Sequence, residues 1–456
     1  MKGKNANRYD MDMCSGSILR KMIIFAVPLM CSGVLQLLFN AADVIVVGRF
    51  AGDNSLAAVG STTSLIGLLT NLFIGLSVGG NVLTAHYYGA RQAKQLKETV
   101  HTAITLSIIS GLLLTVIGVF GARFVLTLMD TPAEVLDKAV LYLRIYFAGM
   151  TATMVYNFGS AILRAIGDTK RPLYFLSLAG VINVVLNLIF VIVFKLDVAG
   201  VGLATVTSQC VSAVLVIRCL MKEREEIRID LKELRLTPDK FRRILQIGLP
   251  AGLQGTLFSL SNVVIQSSIN SFGAVVVAGN SAAQNIEGFG YTAMNAFHQS
   301  AISFTSQNLG AKKFDRINKI LVRALAGAAC IGLGFAALMV WKGSWFLGLY
   351  SDSAQVIEAG LVRLNLITSF YFIAGMMDVV VGSLRGIGYS MFPMIVSLIG
   401  VCGLRLLWVS TVFKMDAFHS PFGIYITYPV SWALTFLVLL IGFIVLRKKL
   451  AKKWRV

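Results

Sequence analysis

The 456-residue chain is too apolar for a soluble protein. Hydrophobic residues make up 56% of it, charged residues only 14%, and its mean hydropathy is +0.75, whereas soluble domains carry about 25% charged residues. In a soluble protein the net charge of +19 would favour nucleic-acid binding, but here the distribution of that charge indicates a membrane. We therefore predict an all-α membrane protein.

The chain opens with a polar, basic stretch, and we expect no cleavable signal peptide. Lys2, Lys4, Arg8 and Arg20 precede an apolar run at residues 22–47, which is longer than the 7–15 apolar residues of a signal peptide. Stretches of about 18 or more apolar residues, enough to cross a bilayer, recur along the chain. The twelve predicted spans are 20–47, 56–84, 98–120, 136–162, 172–194, 200–221, 243–270, 280–306, 317–340, 356–383, 392–413 and 421–446.

One long charged stretch divides the chain near its middle, so we predict two six-helix lobes joined by a cytoplasmic linker. A cytoplasmic tail precedes the first lobe, and a basic cytoplasmic tail follows the second. In chain order, the tail, first lobe, charged linker, second lobe and basic tail are residues 1–19, 20–221, 222–242, 243–446 and 447–456.

The two lobes share sequence motifs at a nearly constant spacing. Residues 163–167 (Leu-Arg-Ala-Ile-Gly) recur 221 positions later as residues 384–388 (Leu-Arg-Gly-Ile-Gly), and Pro172 recurs as Pro393. Other pairs within two positions of this spacing are 89–91 with 310–312, Pro28 with Pro250, and 194–197 with 413–416. Because each repeat has six spans, both enter the membrane in the same direction. This predicts a parallel pseudo-two-fold repeat with a cavity between the lobes.

Lys and Arg are distributed unevenly over the two faces of this topology. Of the 41 Lys and Arg residues, 32 fall on the side of the termini and 6 on the opposite side. Cytoplasmic loops of membrane proteins carry such an excess, so both termini are predicted to be cytoplasmic. The asymmetry accounts for the net charge without a nucleic-acid partner. We expect a multi-pass monomer in the cytoplasmic (inner) membrane.

Apart from those at the span ends, three acidic residues lie within the predicted spans, where a charge costs at least about 2.5–3.5 kcal/mol: Asp43, Glu287 and Asp378. Asp43 shares one helical face with Gln36 and Asn40, which lie seven and three positions before it. If this face lines the lobe interior, it provides a carboxylate within an otherwise apolar helix. The alternative is that Asp43 lies near the outer end of its span and is simply hydrated.

Neutral oxygen-bearing side chains on the fifth and sixth spans could surround Asp43. Asn183 and Asn187 are one helical turn apart, and Thr205, Ser208 and Gln209 follow on the next span. A buried carboxylate can bind a proton because burial raises its pKa, and a hard cation such as Na⁺ prefers oxygen ligands. The composition of this cluster leaves H⁺ and Na⁺ equally open.

The second lobe contains the other two acids. Glu287 shares a helical face with Gln284, Tyr291, Asn295 and His298. Asp378 is surrounded in sequence by Phe370, Tyr371, Phe372, Met376 and Met377. Acids among aromatic and methionine side chains suit a flexible cavity for bulky organic cations. An ordinary packed core with buried, hydrogen-bonded acids is the alternative.

No nucleotide or catalytic motif accompanies these polar residues. The chain lacks the P-loop pattern GxxxxGK[ST] and the zinc-protease pattern HExxH. We therefore predict no enzyme activity, no cofactor and no metal centre, with at most a transient Na⁺ at Asp43. Energy for transport would come from an ion gradient.

The motifs resemble those of the multidrug and toxic compound extrusion (MATE) family. The resemblance covers residues 20 to 447 and rests on the first span from Pro28 to Asp43, the repeated Gly-Ala turns, the doubled Leu-Arg-x-x-Gly pattern and residues 204–209 (Ala-Thr-Val-Thr-Ser-Gln). It implies twelve helices in two lobes and export of amphipathic, often cationic, compounds in exchange for Na⁺ or H⁺.

The resemblance also implies roles for individual residues. Asp43 matches the family's coupling carboxylate, and Asn183 and Thr205 match its polar neighbours. Asn187 stands where many members have aspartate, which removes one negative charge and leaves the coupling ion open. Another branch of the family carries an acid about two turns beyond the proline of the seventh helix, whereas residues 257–259 are Leu-Phe-Ser.

The function predicted from the sequence is therefore a cation-coupled antiporter. A flippase for lipid-linked oligosaccharide, with a similar two-lobed fold, is the main alternative. Such a flippase would line its cavity with several basic residues, and apart from those near the cytoplasmic ends the predicted spans contain only Arg144, Arg363 and Arg405. A sensor or a membrane enzyme is a weaker alternative, because the termini are short and no catalytic set is visible.

The predicted topology can be tested by labelling single cysteines in a cysteine-free variant of the full chain. Asp130→Cys, between the third and fourth spans, should react with a membrane-impermeant maleimide in intact cells. Glu225→Cys, in the charged linker, should react only after permeabilisation, because the positive-inside asymmetry places it in the cytoplasm. The reverse pattern of labelling would contradict the orientation.

Overall fold

The computed structural model describes residues 9–454, and every regular element in this range is helical. The first half contains α1 (Ile18–Phe50), α2 (Asp53–Gly89), α3 (Ala93–Leu128), α4 (Ala133–Ala148), α5 (Met150–Ala165), α6 (Lys170–Leu188) and α7 (Asp197–Met221). The second half contains α8 (Pro238–Asn270), α9 (Ala274–Gly310), α10 (Phe314–Gly348), α11 (Ala354–Gly386), α12 (Met391–Ser397), α13 (Leu404–Ser410), α14 (Pro421–Tyr425) and α15 (Thr427–Trp454). One turn of π-helix, Ile189–Val193, extends α6, and another, Leu398–Gly403, joins α12 to α13.

Within residues 9–454, nine helical segments are long and apolar enough to cross a bilayer. The pair α4 and α5, bent by 46° at Gly149, makes a tenth. Helices α8 and α9 are 33 and 37 residues long, but they are too polar to meet the same criterion. With these two, each of the twelve predicted spans coincides with a helical segment.

The predicted repeat is visible in the backbone as well as in the sequence. Three pairs of residues with left-handed φ lie 221 positions apart: Gly52 (86°) with Gly273 (91°), Arg91 (55°) with Lys312 (57°), and Gly167 (96°) with Gly388 (90°). Asp168 N–H donates to Leu163 O (2.9 Å) and Tyr389 N–H to Leu384 O (3.0 Å). The doubled Leu-Arg-x-x-Gly motif is therefore a helix C-terminal cap, which needs glycine because the position is left-handed.

The chain packs as two compact units. The first unit comprises residues 9–12 and 31–252, and the second comprises residues 13–30 and 253–454. The beginning of α1 thus packs within the second unit, where Phe25 meets Phe304 of α9 edge to face with ring centroids 5.6 Å apart. The beginning of α8 likewise packs within the first unit. The proposed lobe boundary at residues 222–242 stays a prediction.

The charged linker is folded against α3. Ile227 and Ile229 are buried, and Asp230 N–H donates to His101 Nε2 at 3.1 Å. Lys97 Nζ and Glu233 Oε2 form an ion pair at 2.6 Å. Apolar burial and these polar contacts hold the segment on the first unit, so that α8 begins at Pro238, five residues before the predicted span.

Four glycines bring α2 and α8 into backbone contact within the first unit. A Cβ on Gly75 would lie 2.2 Å from Gly252 N, and a Cβ on Gly79 would lie 2.2 Å from Ile244 O. A Cβ on Gly248 would also overlap the backbone of α2, at 2.6 Å from Leu76 Cα. Both helices carry a Gly-x-x-x-Gly spacing, which permits close helix packing in membranes. The sequence around Ser77 has the spacing of a hydrolase nucleophile elbow, but that elbow requires a strand-to-helix turn and Ser77 lies inside α2.

Substituting Gly79 by alanine should destabilise the first unit, because the new methyl group would overlap the backbone of α8. We expect a loss of about 1–3 kcal/mol in the free energy of unfolding, measured as a lower melting temperature of the purified protein. Gly60→Ala is the control on the same helix, since no atom lies within 4 Å of its Cβ position. Equal melting temperatures for the two variants would contradict a tight crossing.

Candidate coupling and substrate sites

A polar network in the interior of the first unit connects α1, α6 and α7. Asn187 Nδ2 donates one hydrogen bond to Asp43 Oδ1 and a second to Asn183 Oδ1, at 2.7 Å. Asn183 Nδ2 in turn points at Ser208 Oγ (3.4 Å) and Thr205 Oγ1 (3.5 Å). The structure therefore brings together all four residues of the predicted coupling site, and it adds Ser208.

The helices orient this network so that oxygens face its centre. Thr205 and Ser208 donate their hydroxyl protons within α7, to Val201 O at 3.0 Å and Thr205 O at 2.8 Å. Their oxygen lone pairs are then the groups turned towards Asn183. Asn183 and Asn187 are one turn apart on α6 and both are buried, which places their amides in one row beside Asp43.

One buried oxygen of the network has no hydrogen bond. Among residues 9–454, no donor reaches Asn187 Oδ1, although its Nδ2 contacts the Asp43 carboxylate. Leaving such a group unsatisfied costs about 1–3 kcal/mol, and buried polar groups in proteins are normally paired. An acceptor held beside a carboxylate fits a cation ligand, since a hard cation prefers oxygen donors.

Sequence reasoning missed two tyrosines on the wall of this network. Tyr142 and Tyr146 of α4 lie close enough to Asp43 to interact with its charge, and their ring centroids are 6.0 Å apart. The sequence shows that the two tyrosines are one helical turn apart, but it does not show that they lie near Asp43 of α1.

Gln36 and Asn40 lie on α1 before Asp43, but their side chains are exposed. They do not share the burial of the Asp43 network. Asp43 itself is only half-buried, so α1 carries the carboxylate at the edge of the packed interior. A role for Gln36 and Asn40 in lining a substrate cavity stays a prediction.

In the second unit, Glu287 forms a buried ion pair that the sequence did not reveal. Arg363 Nε donates to Glu287 Oε1 at 2.9 Å and Arg363 Nη2 donates to Glu287 Oε2 at 2.7 Å. Arg363 Nη1 also donates to Asn280 Oδ1 at 3.0 Å. Both carboxylate oxygens are engaged, so the pair adds no net negative charge to its surroundings. Its members are 76 positions apart, on α9 and α11, and only the packing of these helices joins them.

Other predicted residues of the second unit lie in a separate cluster around Asp378. The Tyr291 hydroxyl lies within hydrogen-bonding range of the Asp378 carboxylate, and His298 Nδ1 lies 2.6 Å from the Asp378 backbone oxygen. Tyr291 and Gln284 are exposed, whereas His298 is buried. The face predicted around Glu287 is thus shared between an ion pair with Arg363 and a cluster around Asp378.

Comparison with known proteins gives these two polar sites a family context. The sequence pattern of the MatE family matches residues 28–189 and 250–409. The probable multidrug resistance protein YoeA of Bacillus subtilis is 27% identical over 433 residues, 93% of each chain. The FAD transporter of Shewanella oneidensis is 25% identical over 76% of this chain and 77% of its own.

A solved structure supports the fold. The outward-facing conformation of a multidrug resistance MATE family transporter superposes with a TM-score of 0.90 at 22% identity, covering 98% of this chain and 100% of that one. This likeness confirms the predicted all-helical membrane fold, which in these transporters has twelve helices in two lobes.

The Asp43 network should depend on Asn187 more than on other asparagines of the first unit. Asn187→Ala removes the hydrogen bonds to Asp43 and to Asn183, so we expect a loss of about 1–3 kcal/mol in unfolding free energy, measured by thermal melting. Asn157→Ala is the matched control, because Asn157 Nδ2 bonds only to Thr153 O of its own helix among the described contacts. A smaller effect of Asn187→Ala than of the control would contradict the network.

Proposed function

Since the chain belongs to the MatE family of membrane transporters, which are not enzymes, we propose that it is a secondary active antiporter. It exports amphipathic, cationic organic compounds in exchange for H⁺ or Na⁺. It acts as a monomer in the cytoplasmic membrane of a prokaryotic cell, with both termini in the cytoplasm. The observation that carries the proposal is the Asp43–Asn187–Asn183 network, a single carboxylate among oxygen-bearing side chains.

The network offers a physical basis for coupling. Asp43 accepts a hydrogen bond from Asn187 as a carboxylate, and protonation would remove the charge that holds this contact. A Na⁺ ion would instead be held by the carboxylate, with the unpartnered Asn187 Oδ1 as a second oxygen. Either event favours the conformation in which the ion is bound best, and a ligand shifts an equilibrium only through such differential binding.

Membership of the family says less about the substrate than about the transport mechanism. One relative is named for multidrug resistance and another for FAD, which is a large anion. In this chain we assign the substrate cavity to Gln36, Asn40, Gln284, Tyr291 and Asp378. Glu287, the remaining acid of the predicted cavity, acts through its pair with Arg363, which holds α9 to α11.

A lipid-linked oligosaccharide flippase is the alternative, and the arginines of the spans bear on it. Arg144 is exposed and bonds to Val119 O at 3.0 Å, and Arg363 is neutralised by Glu287. Of these three arginines, only Arg405 then remains to bind an anionic lipid carrier, and Arg385 of α11 is engaged by Gln254 Oε1 at 2.7 Å. So few available arginines support an antiporter for small compounds better than a flippase for a pyrophosphate-linked lipid.

The test is uptake of a fluorescent organic cation into everted vesicles under separately imposed pH and Na⁺ gradients. The wild type should accumulate the dye under at least one gradient, which identifies the coupling ion. Asp43→Asn should abolish this accumulation while leaving the amount of folded protein unchanged, because the neutral amide binds neither ion.

Asp352→Asn is the matched control, since Asp352 is an exposed loop residue, and it should transport like the wild type. Gradient-driven uptake that survives Asp43→Asn would exclude Asp43 as the coupling residue. Failure of the wild type to move dye under either gradient would contradict the antiporter itself.

A further inference from the structure

Arg405, on α13, carries a buried positive charge. Its side chain is 4% exposed. Nε donates to Ser431 Oγ at 3.0 Å, and the guanidinium carbon lies 4.0 Å from the centroid of Tyr428 and 5.7 Å from that of Trp432. Within residues 9–454, Nη2 is buried and has no hydrogen-bond partner. Among the described residues no salt bridge joins Arg405 to an acid, and Tyr428, Cys402, Arg363 and Tyr371 are the groups nearest in effect to its charge.

Arg363 shows how an arginine in the same region is normally compensated. Its guanidinium lies 5.3 Å from the same Tyr428 ring, but both oxygens of Glu287 pair with it. The two guanidiniums on Tyr428 therefore share one carboxylate, and one positive charge is left over. The aromatic rings offset a part of the desolvation cost of that charge, but a buried charge is ordinarily paired with an opposite one.

The repeat relates this region to the first unit only approximately. Arg363 stands 221 positions after Tyr142 of α4. Arg405 stands 222 positions after Asn183 of α6, which is one residue, or about 100° of helical rotation, away from the equivalent position. The second unit thus carries arginines on the helices that correspond to α4 and α6.

We propose that Arg405 forms an anion-binding subsite in the interior of the second unit, taking the carboxylate or phosphate group of an amphipathic substrate. The inference rests on the proposed transport function and narrows its substrates to cationic compounds that also carry a carboxylate or phosphate group. A planar guanidinium presents its N–H groups in the geometry that carboxylates and phosphates accept, and Nη2 is the free donor. Because Nη2 is enclosed in this conformation, the ligand reaches it in another state of the transport cycle.

The test compares two probes that differ in one anionic group, rhodamine B with a free carboxylate and its ethyl ester. Binding to the purified full-length protein is measured by fluorescence anisotropy. The wild type should bind rhodamine B at least about tenfold more tightly than the ester, as expected for a hydrogen bond between two charged groups. Arg405→Met should lose this preference and leave binding of the ester unchanged.

Two further variants separate the subsite from a general effect of charge or folding. Arg144→Met removes another arginine of the spans, one that is exposed, and it should keep the preference of the wild type. Arg405→Lys keeps the charge without the planar fork, and it should give an intermediate preference even if Arg405→Met folds poorly. A wild type without preference for the carboxylate in any buffer, or an unchanged preference in both Arg405 variants, would overturn the proposal.

A comparison of chloride with gluconate buffer identifies the source of the anion. A preference for rhodamine B that chloride leaves intact assigns the subsite to the substrate's own carboxylate. Equal binding of both probes that rises with chloride in the wild type, and not in Arg405→Met, would overturn the substrate subsite and show that Arg405 binds a free inorganic anion instead. Gradient-driven export of the ester, measured in parallel, reports on the antiporter alone, so a failure of the subsite is distinguishable from a failure of the proposed function.

Discussion

The absence of water in the bilayer interior is the constraint on which the structure depends. A polar group in hydrocarbon must find its partner within the protein, so every regular element in the described residues is a helix, whose backbone groups pair within the segment. The same constraint decides which polar side chains can be buried. Asp43 is joined to Asn187, Glu287 to Arg363, and Asp378 to Tyr291.

The two halves share a backbone but differ in the charge of their interiors. The left-handed residues recur 221 positions apart, and each half contains a turn of π-helix. The Asp43 network of the first unit contains one carboxylate among neutral oxygens, whereas the second unit contains Glu287, Asp378 and the buried Arg363 and Arg405. Similar scaffolds with different polar sites suit a division of labour, in which one half couples to a cation and the other recognises the substrate.

Exchange between conformations requires that the helices which join the units can move without losing their packing. Helices α1 and α8 each begin in one unit and end in the other, so a movement of the units acts on both of them. The contact of α8 with α2 is built on glycines, and such a contact has few long side chains to rearrange.

The sequence by itself determined the solvent, the twelve helical segments and the repeat, because hydrophobic runs and capping motifs are local properties of the chain. It also indicated Asp43, Asn183, Asn187 and Thr205 as one cluster, since an acid in an apolar span must be retained for a reason. The Gly-x-x-x-Gly spacing of α2 and of α8 was also visible in the sequence, but the sequence did not show that these two helices pack against each other.

Tertiary structure decided which of the buried polar groups meet. Glu287 was expected to face a cavity, and the packing of α9 on α11 pairs it with Arg363, 76 positions away. Packing elsewhere in the second unit leaves Arg405 without a salt bridge to an acid, and packing in the first unit brings Tyr142 and Tyr146 near Asp43. Such contacts join distant parts of the chain, and the charge of a buried site depends on all of its neighbours at once. No local pattern in the sequence predicts the combined effect of these neighbours on the charge of the site.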